Sequence, residues 1–151
     1  MAQGDVAFFD QACVDVLEKL HDLENDDIKI GLITSAVTPA VTTADPRWGS
    51  GGSTNFATNQ VTPGGNYASG GPSAANPSVS LTGGLAAFDA DDVTIAQNAG
   101  NPTNARWGIG YNNTDAGKRA LFYVDLGSTF DMTTGDLQFV WNANGIARLD
   151  N

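Results

Sequence analysis

The chain has 151 residues and a formal net charge of -10, a length that fits one domain, residues 1–151, with a real core. Its seven basic residues are scattered and its surface must be negative, which repels phosphate backbones and excludes nucleic acid as an expected partner. Cys13 is the only cysteine, so neither an intrachain disulfide nor a multi-cysteine metal site can form.

No apolar run is long enough to span a bilayer, and Met1 to Phe9 lack the basic start and apolar stretch of a signal peptide. A soluble protein made in the cytoplasm, without membrane contact, is expected. Charged residues are few while Gly, Ser, Thr and Asn are abundant, a balance that favours strands and turns.

One helix is predicted over residues 5–24. Val6, Phe9, Cys13, Val16, Leu17, Leu20 and Leu23 follow the three-four spacing of a buried face, Asp5 is a candidate N-cap, and Asp10, Asp15, Glu18 and Asp22 fall elsewhere. That assignment buries Cys13 and Leu17 and leaves His21 at a wet end. Glu24-Asn25-Asp26-Asp27 ends the helix, and Ile28 to Thr34, short and rich in β-branched residues, reads as a buried strand.

Between Trp48 and Phe88 there is no Asp, Glu, Lys or Arg, yet this stretch holds half of the chain's 18 glycines. It reads as an uncharged loop region, residues 48–88, with short strands that order against the core or a partner. Trp48, Phe56 and Tyr67 are its candidate interface residues, because aromatic anchors in adaptable loops make good contact surfaces.

Residues 93–149 read as antiparallel strands separated by Asn-Pro, Asn-Asn-Thr-Asp and Thr-Thr-Gly-Asp turns. Alternation places Trp107, Ile109 and Tyr111 on one face, Ala120, Phe122, Val124 and Leu126 on another, and Leu137, Phe139 and Trp141 on a third. The predicted fold class is mainly β (α+β): an antiparallel β-sandwich or barrel-like domain with one N-terminal amphipathic helix and long Gly-rich loops.

Catalytic constellations are hard to assemble from these residues. Cys13 and His21 are eight apart on the predicted helix, about two turns and beyond hydrogen-bond reach. The glycine clusters match neither a phosphate-cradling loop nor a dinucleotide fingerprint nor a Gly-x-Ser-x-Gly elbow. Asp89, Asp91 and Asp92 form the best metal candidate, but Asn98, Asn101 and Asn104 are the only side-chain partners that follow, so a solvated acidic turn is expected there. No catalytic residue, cofactor or metal is assigned, and a non-enzymatic protein is expected.

The order of features resembles a family of small structural proteins of tailed bacteriophages, the capsid decoration or cement proteins. The likeness rests on the opening helix followed by Asn25-Asp26-Asp27-Ile28-Lys29-Ile30-Gly31-Leu32, the central Gly64-Gly65-Asn66-Tyr67-Ala68-Ser69-Gly70-Gly71, the segments Phe88 to Val93 and Ala105 to Tyr111, and the ending Gly135 to Ile146. It implies a virion protein on the outer capsid surface, with the major capsid protein as partner, bridging neighbouring subunits. A homo-oligomer is expected with it, a trimer as first guess. Two other readings are a tail-tube or head-tail connector subunit and a carbohydrate-binding β-sandwich stacking sugars on Trp48, Tyr67 or Trp107.

Overall fold

The computed structural model describes residues 3–149. It is mainly β, with 38% strand against 8% helix, and its strands are divided among several small sheets. The principal sheet combines β1 (Val6–Phe8), β2 (Ile28–Ile33), β8 (Ala105–Asn112) and β9 (Ala120–Phe130) in the order β1-β9-β8-β2, all antiparallel. A three-stranded sheet joins β5 (Ser78–Thr82), β6 (Leu85–Asp89) and β11 (Ala147–Leu149), and β7 (Val93–Ile95) pairs with β10 (Leu137–Phe139). The parallel pair β3 (Pro46–Arg47) and β4 (Thr54–Asn55) completes the set, ahead of a 3-10 turn at Phe56–Asn59.

Both faces of β8 and of the Ala120 to Leu126 part of β9 are buried, which the alternating pattern of a half-solvated strand does not require. The glycines of β8 make this possible. Gly110 lies directly opposite Phe122 on β9, and the Phe122 ring covers the space that a side chain at Gly110 would fill. Gly108 similarly gives room to the Phe139 ring, and Trp141 meets Phe122 edge-on at 5.9 Å. On the other face Tyr123 packs against Phe9 and Trp107, and Phe9 stacks on Phe56. Phe8 packs on Phe122 while Phe9 packs on Tyr123, so one dipeptide serves both layers, as period-two alternation demands.

The helix is shorter than the spacing predicts. Val6-Ala7-Phe8 pairs with β9, and α1 spans only Asp10–Leu17. Asp5 is therefore not the N-cap; that position is Phe9, which makes no side-chain cap bond. At the other end Lys19 takes a left-handed φ of 61°, the Lys19 amide donates to the Val16 carbonyl, and the Leu20 amide donates to the Asp15 carbonyl. This pair of bonds is a Schellman stop, built here on lysine instead of glycine, and it halts the helix while the three-four spacing continues in the sequence.

The uncharged region is ordered against the principal sheet. Along β2 the Val61 amide donates to Leu32, Thr34 to Asn59, Ile30 to Pro72 and Ala74 to Ile28, so residues 59–74 occupy the edge that β8 leaves open. Gly71 is needed there, at φ 81°, because a Cβ would collide with the Ile30 carbonyl.

Candidate assembly surface

The aromatic residues proposed as interface anchors are core residues. Trp48, Phe56 and Tyr67 are 5%, 0% and 1% exposed. Trp48 stacks on Tyr111 at 5.1 Å and lies across Gly31, where even a methyl group would overlap three of its ring carbons. The Tyr67 hydroxyl accepts the Leu32 amide at 2.8 Å, and the Tyr111 hydroxyl donates to the Gly70 carbonyl at 3.0 Å. Burial pushes the Tyr67 hydroxyl up to about 12, so both bonds are made by neutral phenols. These rings anchor the glycine-rich loops to the chain's own sheet. With Trp107 at 8% exposure, the residues named for sugar stacking are enclosed as well.

The helix buries only part of the expected face: Phe9 is buried and Val16 and Leu23 are half-buried as the spacing predicts, but Cys13, Leu17 and Leu20 are not. Phe9, Ala12 and Asp15 are buried, whereas Cys13, Val14, Leu17 and Leu20 are exposed, Leu17 by 82%. The buried Asp15 has polar partners. It accepts a hydrogen bond from Gln11 on the same helix and lies 3.6 Å from the Arg119 guanidinium, contacts that compensate the burial of its carboxylate; His21 Nε2, 3.8 Å away, makes no hydrogen bond to it. His21 is buried, not wet: its Nδ1 takes the Asn112 side-chain N–H at 3.0 Å, and the same Asn112 amide group donates to Asp26.

Burial lowers the His21 pKa, with Arg119 adding to the effect and Asp15, Asp115 and Asp26 opposing it. The neutral imidazole is thus the folded-state form. Its stabilising contribution is present above the ordinary histidine value of 6.5 and lost as pH falls below it, because the unfolded chain then binds the proton better. Urea melts at pH 7.5 and 5.0 should show a larger acid loss for the parent than for His21→Gln; equal losses would contradict the buried neutral imidazole.

This cluster ties the helix C-terminus to the β8–β9 turn. Cys13 is exposed while His21 is buried, so the two do not form a dyad. The acidic turn is also engaged in structure: Asp92 accepts the Trp141 amide, and Asp91 accepts the Asn76 side-chain amide at 2.6 Å. Among the described residues no three His, Cys, Asp or Glu side chains converge as a metal site, and no helix is long and apolar enough to cross a membrane.

A second exposed apolar surface lies on the three-stranded sheet. The pairings Val79 with Phe88, Phe88 with Ala147, Leu81 with Ala86 and Ala86 with Leu149 place all six on one face, since opposed residues share a side. Phe88 roots that face in the core, and Val79, Leu81 and Leu149 are 47%, 73% and 67% exposed. The other side carries Ser78, Ser80, Leu85, Ala87, Asp89 and Arg148. Local alternation at Ser-Val-Ser-Leu-Thr signals this strand, but only the pairing with β11 gathers Leu149 onto the same face. Two shallow hollows of 380 and 400 Å³ adjoin at Val140 and Trp141, and Asp125 in the first is already paired with Arg106.

No protein family, curated protein or solved structure matches the chain.

Proposed function

We propose that the protein is a non-catalytic virion component that binds the outer surface of a tailed-phage capsid and bridges neighbouring capsid subunits. The observation that supports this reading is the pair of exposed apolar surfaces on separate elements: Val14 and Leu17 of α1 with Leu20 just past its C-terminal stop, and the β5–β6–β11 face of Val79, Leu81 and Leu149. A bridge needs two contact surfaces on one firm body, and binding to many equivalent lattice positions stabilises the shell by mass action. The helix strip is flanked by the exposed carboxylates of Asp10 and Glu18, four residues either side of Val14, which suits a partner offering an apolar hollow with basic groups around it.

The bridging contacts exist only once the capsid subunits have reached their final positions, so expanded shells should take up the protein and precursor shells should not. Leu17→Asp tests the helix strip. Its side chain is in water, so the variant should keep its circular dichroism spectrum and its stability to within about 0.5 kcal/mol, yet bind expanded shells far more weakly. Unfolding of Leu17→Asp would return Leu17 to the core, and undiminished shell binding would remove the helix strip from the interface.

A further inference from the structure

We infer that β5 is a self-pairing edge through which two copies of this chain join their three-stranded sheets, a contact that does not depend on the capsid reading. Strand β5 ends its sheet, being paired with β6 on one side only. Such an edge is ordinarily blunted by a charge, a proline within the strand or a bulge. Here Ser78 to Thr82 carries no charge, no internal proline and no register break.

The edge is also neutral where the molecule is otherwise repulsive. Two chains of net charge -10 repel each other, but between Trp48 and Phe88 there is no charged side chain to oppose the approach of a second copy. The strand is self-complementary as well. Gly83 and Gly84, at φ 61° and 87°, form a two-residue type I′ turn, so the flanking pair Thr82 and Leu85 is a hydrogen-bonded pair. Bonded pairs alternate from there, which directs the backbone groups of Ser80 toward β6 and those of Val79 and Leu81 toward the open edge.

An antiparallel partner related by a two-fold axis at Ser80 then sets Val79 opposite Leu81 of the other copy, twice, with both pairs able to exchange N–H and C=O bonds. The result is a six-stranded sheet whose two apolar faces become continuous. The contact is isologous, so the unit it builds is a dimer in place of the trimer first expected. A single strand edge is a small interface, and the dimer should be concentration-dependent.

Sedimentation velocity on the full chain over a concentration series should show mass rising from 15.7 kDa toward twice that value. Ser80→Lys places two ammonium groups opposite each other at the axis and should hold the protein monomeric with an unchanged melting temperature. Ser80→Cys in a Cys13→Ser background should form a disulfide-linked dimer under mild oxidation, because a non-hydrogen-bonded antiparallel pair brings Cα atoms to about 4.5 Å, within disulfide reach. A parent that stays monomeric throughout, a Ser80→Lys variant that still associates, or association abolished by Leu17→Asp but not by Ser80→Lys would each overturn the inference. Failure of shell binding with the dimer intact would instead count against the capsid reading alone.

Discussion

Trp48→Ala should lower the unfolding free energy by about 3–5 kcal/mol, the usual loss when a buried indole is truncated. The ring is 5% exposed, stacks on Tyr111 with an interplanar angle of 11°, and covers the backbone at Gly31. Removing it opens a cavity between β2 and the glycine-rich loop, which the surrounding backbone bonds cannot close without breaking. Tyr67→Phe should cost less, about 1–3 kcal/mol, by leaving the buried Leu32 amide without its acceptor. Urea denaturation of the isolated protein measures both. A Trp48→Ala variant as stable as the parent would restore the ring to the surface and to the list of interface anchors.

Gly31→Ala should destabilise by about 1–3 kcal/mol or more, because the new methyl group overlaps the six-membered ring of Trp48 in a site already closed by Tyr111. The same substitution made in Trp48→Ala should be nearly harmless. Glycine and indole occupy one space, so the two lesions should be strongly less than additive, with a coupling on the order of 1–3 kcal/mol. Additive losses would show that Gly31 is required for another reason.

These two residues also mark what the sequence could and could not disclose. The strands at 28–33, 105–112, 120–130 and 137–139 were legible because β-branched and aromatic runs bounded by turns persist in the structure nearly where they are read. The helix was misread at both ends. Val6 and Phe9 fit a helical stripe, but Val6 belongs to an edge strand; Leu20 and Leu23 continue the stripe past a left-handed Lys19 that no local pattern announces.

The choice of buried face failed in part, and for a different reason. Periodicity weighs apolarity alone, whereas here the buried Asp15 carboxylate is partnered by Gln11 and Arg119. Arg119 immediately precedes β9, about a hundred residues away in the chain. Its proximity is a product of the fold and has no signature at residues 10–17. The neighbouring Asn112, buried and bonded to His21 and Asp26, is equally silent in sequence.

The candidate surface was legible only in its composition. A stretch without charge was expected to order against the core or a partner, and the structure divides those roles: residues 59–74 cover β2, while residues 78–89 form a hairpin with an exposed apolar face. The large aromatics, which as exposed anchors would have been the better adhesive, went to the first task. Smaller aliphatics, Val79 and Leu81, were left for the second. The difference is one of covering area, since a broad ring over a glycine seals a backbone edge that an isopropyl group would leave wet.

The capsid reading makes its most direct claim about position in an assembled particle. Reconstruction of intact virions by cryo-electron microscopy should show this chain on the outside of the shell, repeated at equivalent lattice positions, with α1 or the β5–β6–β11 face turned toward capsid subunits. Density for the chain confined to the tail or the head-tail connector, or no copy of it on the outer shell, would contradict the account.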